Sequence, residues 1–279
     1  MSITNNNLTV VIVTFKSNKI VESCIQSIDP NLPIIVIENS NDYKFKDYLT
    51  SKFKNVDCYL TGENKGYSVA NNIGLLKVKT DYALVLNPDT KLEKKALENF
   101  FITVKKIPDF WLIGPAYQQK KDINYNKKDI SQVENLKGFA IFFNLKKFKN
   151  NFFDENFFLY FEEIDLCKKV KMQGGLIYLD PSIKIFHHGS SSVDNIFEEE
   201  LEKNRNWHWM WSTFYFHKKY KGFFLALLIV FPKLFSAFIK SILFFVIFNK
   251  IKRDIYFNRV EGLINSILGR KSWKRPTID

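Results

Sequence analysis

The sequence predicts an α/β fold: a mixed, mostly parallel sheet flanked by helices, followed by a separate helical region. Three observations carry this expectation. Short apolar, strand-like runs recur along the first hundred residues with helical periodicity between them, the pattern of strands covered by crossover helices. Each run ends in a polar turn, as at NSND and NPDT. From about Glu198 the chain becomes charged, then aromatic, then strongly apolar and helix-like. The expected division is an α/β domain over 1–197 and a C-terminal helical, membrane-associating region over 198–279.

The elements follow in order. Residues 8–15 (LTVVIVTF) read as a buried strand, and Lys19 to Ile28 carries apolar residues at helical spacing. Residues 34–38 (IIVIE) and 56–60 (VDCYL) are the next strands. The loop GENKGY then leads into a helix from about Ser68 to Leu76. Residues 82–86 (YALVL) run into NPDT, and Leu92 to Lys106 is helical. Ligands of open α/β sheets sit beyond the carboxyl ends of the strands. Thr14–Phe15, Glu38–Asn39–Ser40 and Asn87–Pro88–Asp89 are therefore expected on one rim. In the second half, 118–135 is polar and reads as an exposed loop, and 138–145 as a strand. Helical periodicity begins near Glu162 and stops at Gly174–Gly175, and short strands follow at 176–179 and 183–187.

With 279 residues and 46% hydrophobic content the chain can bury a sizeable core. Its net charge of +12 suits nucleic acid, an anionic membrane or phosphorylated substrates. No nucleic-acid-binding motif accompanies that charge, so nucleic acid is not an expected partner. Basic residues bracket the apolar C-terminal segment, with Lys218, Lys219 and Lys221 before it and Lys250, Lys252 and Arg253 after it. Residues 223–248 carry only Lys233 and Lys240 as charges. A single span needs about 20 apolar residues, which this stretch could just supply, but the break at Pro232–Lys233 and the second lysine favour two helices lying in the interface. A helix pair packed on the main domain is the soluble alternative. The three cysteines, Cys24, Cys58 and Cys167, have no metal or redox spacing and read as buried thiols in a reducing compartment. The first apolar run is too short for a secretory signal, which places the expected site of action in the cytoplasm.

Four segments carry chemistry. Asp89 of NPDT follows a buried strand, where a carboxylate can hold Mg²⁺ or Mn²⁺ against a diphosphate; Asn-Pro-Asp is also ordinary turn chemistry. In YFEEIDLCKK, Glu162, Glu163 and Asp165 crowd the start of a helix. Acidic residues suit a helix N-terminus, yet the aromatic approach (Phe157, Phe158, Tyr160, Phe161) would also bury a carboxylate and raise its pKa toward that of a general base. His187 and His188 close a strand before GSSS; they point to opposite faces, so at most one reaches a metal begun by Asp89. The loop GENKGYSVANN can offer backbone N–H groups to an anion, without a dinucleotide or P-loop fingerprint.

Together and in order, the segments VVIVTF, VIENSND, ENKGYSVANNIGL, LVLNPDT, GFAIFF, FDENFFLYFEEIDLCKKVKMQGG and IKIFHHGSSS resemble the family 2 inverting glycosyltransferases of the GT-A fold, and most closely the rhamnosyltransferase-like branch that builds bacterial surface polysaccharides. They cover Leu8 to about Val193. The resemblance implies a DxD-like role for NPD, with Asp89 on the metal and Asn87 near ribose or phosphate. It makes Glu163 the base toward the acceptor hydroxyl, with Glu162 and Asp165 shaping the acceptor site, and His187 a further metal ligand. Thr14, Phe15, Glu38, Asn39, Asn64, Gly66 and Asn71 would hold the nucleotide. Glu38 and Glu163 stand where the family more often has Asp, and the extra methylene moves each carboxylate by roughly 1.5 Å, enough to matter where positioning controls rate.

The resemblance further implies an inverting, single-displacement transfer from a dTDP- or UDP-sugar, with dTDP-rhamnose the leading donor. The acceptor would be a growing glycan or one linked to a polyprenyl diphosphate, met at the cytoplasmic face of the plasma membrane. The aromatic and basic run RNWHWMW, then FYFHKKYKG, is expected to dock the enzyme there as a peripheral or monotopic protein. The competing expectation is a catalytically inactive, membrane-associated nucleotide-sugar binding protein.

Overall fold

The computed structural model describes residues 7–116, 129–187 and 198–276. The chain forms two compact units, Met1–Asp154 with Glu163–Val193, and Glu155–Glu162 with Asp194–Asp279. Residues 155–162, read from sequence with the sheet domain, thus belong to the helical unit.

The first unit is built on β1 (Leu8–Thr14), β2 (Ile34–Glu38), β3 (Val56–Leu60), β4 (Tyr82–Leu86), β5 (Thr90–Leu92), β6 (Phe110–Pro115), β7 (Ser131–Gln132), β8 (Ala140–Asn144), β9 (Leu176–Asp180) and β10 (Ile185–His187). Its helices are α1 (Asn18–Gln26), α2 (Tyr43–Lys52), α3 (Tyr67–Lys77), α4 (Ala96–Lys106) and α5 (Glu162–Met172). Eight strands form one sheet in the order β3-β2-β1-β4-β8-β6-β9-β7, and β5 pairs with β10 in a separate ribbon. The β3-β2-β1-β4 half is parallel, whereas β8 runs antiparallel to both β4 and β6. That reversal sets Ala140 beside Leu86, so the residues entering β8 reach the rim where β4 ends. Strand alternation divides the core: Val10 and Ile12 of β1 face one layer with Val21, Phe100 and Phe142. Val11 faces the other, with Ile37, Ala70 and Leu166. Gly74 of α3 is required by close approach, since a Cβ there would meet Val11 Cγ1 at 2.5 Å.

Three readings of this unit are corrected. Helix α2 was missed because its ten residues bury only Phe45 and Leu49; its start is set by Asp42, which accepts from the Phe45 N–H at 2.9 Å. Strand β6 was missed because FWLIGP ends in Gly and Pro. Within the expected loop 118–135, Ser131 and Gln132 pair antiparallel with β9, while 117–128 lie outside the described residues. His188 and the GSSS run also lie outside them.

The second unit contains α6 (Glu198–Lys221), α7 (Phe223–Val246) and α8 (Lys250–Ile267). Met210, Phe214, Ala226, Val230 and Leu263 form its shared core. Gly262 lets α8 approach α6 closely, for a Cβ there would stand 2.2 Å from the Trp207 carbonyl oxygen. The expected break at Pro232 does not occur: α7 is one continuous helix with Pro232 inside it. Proline removes one backbone hydrogen bond, but Ala226 and Val230 before it and Ala237 after it are all buried, so packing holds both sides. By length and composition α7 could cross a membrane. Its outer face is apolar and exposed, including Phe224, Leu228, Phe231, Phe235 and Phe245. The RNWHWMW run is a second correction: Trp207, His208, Met210 and Trp211 are buried, leaving Trp209, at 43% exposed, as its outward ring. Tyr160 and Phe161 of the same unit both adopt left-handed backbone, φ 69° and 70°, a conformation costing a non-glycine residue about 1–3 kcal/mol.

Candidate active site

The rim beyond β4 is organised by the turn that follows the strand. The Asn87 N–H donates to the Phe139 carbonyl at 2.9 Å, and the Asn87 carbonyl accepts from the Thr90 N–H at 3.2 Å and from Thr90 Oγ1 at 2.7 Å. This closes a turn around Pro88 that presents the buried Asp89. Pairing of β5 with β10 places His187 opposite Thr90, which brings His187 Nε2 to 3.3 Å from Asp89 Oδ1. The imidazole stacks on Phe139, ring centroids 5.0 Å apart and 13° from parallel. Beneath the turn, burial pushes the Cys24 thiol up to about 12, so it stays protonated and inert. All three cysteines are buried and free.

The donors at this corner fit a divalent cation. Adjacent ligands of a hexacoordinate ion with ~2.1 Å bonds stand about 3 Å apart, close to the Asp89–His187 separation. Among the described residues no third His, Cys, Asp or Glu joins the group. A hard ion there would take its remaining oxygens from diphosphate and water, the usual habit of Mg²⁺.

The acidic segment lies next along the same structure. Glu163 packs over Gly138, where a Cβ would meet its Cβ, Cγ and Cδ at 3.5–3.8 Å. Gly138 precedes Phe139, the residue that anchors Asn87 and stacks on His187, and its carbonyl accepts from the Tyr67 hydroxyl at 2.8 Å. One turn further along α5, Cys167 Sγ accepts from the Leu136 N–H at 3.4 Å. Residues 136–139 therefore run along α5 and tie Glu163 to the Asp89–His187 corner. Burial raises the Glu163 carboxyl above its ordinary range, with Lys137 pulling the other way. Glu162 and Asp165 are also buried, Asp165 completely so, and the Glu163 side chain packs on Gly138.

The residues expected to hold the nucleotide fall into two groups. Asn39, Asn64 and Gly66 are engaged in building the loop. Asn39 Nδ2 donates to Asn64 Oδ1 at 3.1 Å and to the Gly66 carbonyl at 3.3 Å, its Oδ1 accepts from the Lys65 N–H at 2.9 Å, and Asn64 Oδ1 accepts from the Gly66 N–H at 3.1 Å. Gly66 caps α3 with φ 83°, a left-handed value that favours glycine. By contrast, Thr14 Oγ1, Glu38 Oε2 and Asn71 Oδ1 are buried with no hydrogen-bond partner among the described residues. Thr14 and Glu38 are register partners at the ends of β1 and β2. Gly74, three residues after Asn71 on α3, lies over Val11 and Ile37 of the same two strands. Phe15 is half-buried beside Thr14. Ser40 donates to Glu38 Oε1, yet burial still pushes the Glu38 carboxyl up to about 7.

Sequence reasoning missed Tyr67, Ser68, Lys137 and Gly138. Ser68, at the start of α3, adds another buried hydroxyl with no hydrogen-bond partner among the described residues. The signal for Gly138 was present in GFAIFF: a glycine entering a buried strand marks close approach. Nothing local distinguishes Tyr67 or Lys137.

Comparison with known proteins bears on this arrangement. The chain is 20% identical over 195 residues to the low-salt glycan biosynthesis hexosyltransferase Agl10 of Haloferax volcanii, covering 60% of this chain and 62% of that relative's length. In three dimensions it is similar to GalNAc-T7, solved with UDP, GalNAc and Mn²⁺ (TM-score 0.55, 14% identity, 64% of this chain and 42% of the other). It is also similar to S. aureus TarS residues 1–349 (TM-score 0.55, 12% identity, 98% and 94%). These likenesses show the expected GT-A fold. The model of the family described as "Glycosyl transferase family 2" matches residues 9–167, more than half of the sequence. The chain belongs to glycosyl transferase family 2.

Proposed function

We propose that this chain is an inverting, metal-dependent glycosyltransferase that moves a sugar from a nucleotide-sugar donor to a lipid-linked or growing glycan. The observation that carries the reading is the pairing of Asp89 with His187 at 3.3 Å, joined through Phe139 and Gly138 to a carboxylate whose pKa is raised by burial. A metal-binding corner and a general base on one short track suit a single displacement at an anomeric carbon, the first stabilising the leaving group and the second activating the acceptor hydroxyl. The relative's role in glycan biosynthesis and the neighbour's Mn²⁺ and UDP support the same reading.

Asp89 and His187 would hold Mg²⁺ or Mn²⁺, which when bound neutralises charge on a departing nucleoside diphosphate. Thr14, Glu38, Ser68 and Asn71 supply buried polar atoms at the strand ends for the nucleoside. Asn39, Asn64 and Gly66 fix the loop around it, with Phe15 and Asn87 alongside. Glu163 removes the proton from the acceptor hydroxyl, which attacks from the face opposite the leaving group. Glu162 and Asp165 set the helix start from which Glu163 projects. Rhamnose from dTDP-rhamnose is the first donor to test and a UDP-hexose the next. The apolar outer face of α7, bracketed by lysines, suits docking at the cytoplasmic face of the plasma membrane, where a polyprenyl-diphosphate-linked acceptor resides.

The test is nucleoside diphosphate release and sugar transfer from dTDP-rhamnose and UDP-hexoses, with Mn²⁺ and with chelator. Metal-dependent turnover supports the reading. Donor-induced thermal stabilisation without turnover would establish a binding protein instead.

A further inference from the structure

The peptide joining Gly138 to Phe139 is shared by both halves of the site. Its atoms lie in one plane, with the Gly138 Cα at one end and the Phe139 Cα at the other. The Gly138 end supports the Glu163 side chain. Phe139, at the other end, stacks on His187 at 5.0 Å, and its carbonyl accepts from the Asn87 N–H at 2.9 Å. Register pairing of β8 with β4 begins only at Ala140, so this peptide stands just outside it. The oxygen of the plane, the Gly138 carbonyl, accepts from the Tyr67 hydroxyl at 2.8 Å.

Tyr67 is itself firmly held. It is the first residue of α3, a helix fixed on the sheet by the close approach of Gly74 to Val11. Its half-buried ring lies edge-on to the buried Phe153, ring centroids 5.8 Å apart. Asn72, five residues further along α3, fixes Phe153 in turn. Its Nδ2 donates to the Phe153 carbonyl and its Oδ1 accepts from the Phe153 N–H, both at 3.0 Å. The hydroxyl is thus carried on a braced ring, and a braced donor can hold a peptide plane in place. Tyr67, Asn72, Gly138, Phe139, Phe153, Glu163 and His187 all belong to the sheet unit.

We infer that Tyr67 is a positioning residue, whose hydroxyl fixes the Gly138–Phe139 peptide and through it sets Glu163 against the Asp89–His187 corner. The inference rests on the reading of Glu163 as the base. Tyr67 acts through the peptide and not by touching the reacting atoms. Phenylalanine at this position keeps the ring against Phe153 and removes the donor alone.

The experiment is a double-mutant cycle in the full-length chain: Tyr67→Phe, Glu163→Gln and the two combined. Nucleoside diphosphate release from dTDP-rhamnose and from UDP-glucose, with Mn²⁺ and with water or an octyl glycoside as acceptor, gives kcat and the donor KM. Thermal melting is followed in parallel. Tyr67→Phe is expected to fold, because the packed ring is retained. Its kcat should fall by about 10–10²-fold, up to the scale of a 1 Å misplacement, with the donor KM within about twofold. In the Glu163→Gln background the same substitution should cost less than about a further twofold, because residues that act through one group are not additive.

Equal losses of kcat in the two backgrounds overturn the inference and leave Glu163 as the base. A loss confined to the donor KM also overturns it, as does a lower melting temperature with unchanged kcat. Near-parent kcat in Glu163→Gln, or a parent chain that turns over no donor, overturns instead the reading on which the inference rests.

Discussion

Asp89 and His187, nearly a hundred residues apart in sequence, stand 3.3 Å apart because the register of β5 against β10 sets His187 opposite Thr90. Two protein ligands are few for a divalent ion, so each is expected to weigh heavily. Asp89→Ala should lower Mn²⁺-dependent turnover at least 10²-fold, and His187→Ala by about tenfold or more, since even outer partners of metal ligands cost 10–100-fold. Calorimetric titration of Mn²⁺ in the presence of UDP checks this apart from activity. Unchanged metal affinity in both variants would exclude this corner.

How much of this was legible in the sequence depended on range. The parallel half was readable because β1, β2 and β4 are continuous apolar runs, largely buried on both faces. Helix α2 was not, since Phe45 and Leu49 alone mark its inner side. Asp89 and Glu163 stood out by residue type and spacing, whereas Gly138 and Tyr67 gain meaning only when β8 reverses beside β4. Pro232 misled because local propensity argued for a break while packing against α6 and α8 opposed it. The aromatic run of α6 misled for a related reason: composition cannot say whether tryptophans face lipid, water or another segment of the same chain.

Glu163→Gln should reduce kcat by about 10²–10⁴-fold, the usual worth of a general base, with the donor KM nearly unchanged. Burial raises the Glu163 pKa, and a protonated carboxyl cannot accept a proton. Activity is therefore expected to fall as pH drops through that raised value, at a pH above the ordinary carboxylate range. Lys137 favours the charged form, so Lys137→Ala should move the acid limb to still higher pH. A pH profile of kcat decides it: a limb that moves downward or stays in place contradicts the assignment.

Glu38 offers a stability test independent of catalysis. Its folded-state pKa is about 7 because the carboxyl is only 1% exposed, whereas an unfolded glutamate titrates near ~4.3. Between these values the native state binds more protons than the unfolded state, so the contribution is full below the lower value and is lost as pH rises through 7. Glu38→Gln removes the titration and keeps an acceptor for Ser40. It should stabilise the protein at pH 8 relative to pH 4.5 by up to about 3 kcal/mol, from 1.36 kcal/mol per pKa unit. Urea unfolding at the two pH values measures the difference, and an equal effect at both would show that Glu38 is not held protonated.

Membrane attachment is better tested on the face of α7 than by truncation. Deleting everything after Gly222 would also remove α8, whose Leu263 shares a core with Met210 and Phe214 and whose Ser266 hydroxyl donates to the Trp211 carbonyl. Loss of binding in such a fragment would not separate docking from unfolding. Leu228, Phe231 and Phe235 lie on one exposed stripe of α7 and contribute nothing to that core. Burying each in an acyl layer is worth about 1.5–3 kcal/mol, so replacing all three with Glu should lower affinity for phosphatidylcholine–phosphatidylglycerol vesicles by well over 10²-fold. Vesicle flotation measures this, with circular dichroism confirming the helices. The lysines bracketing α7 add an electrostatic part that salt screens, so the parent chain should bind less tightly at 0.5 M NaCl than at 0.05 M. Flotation unaffected by the triple substitution would show that this face does not meet the bilayer.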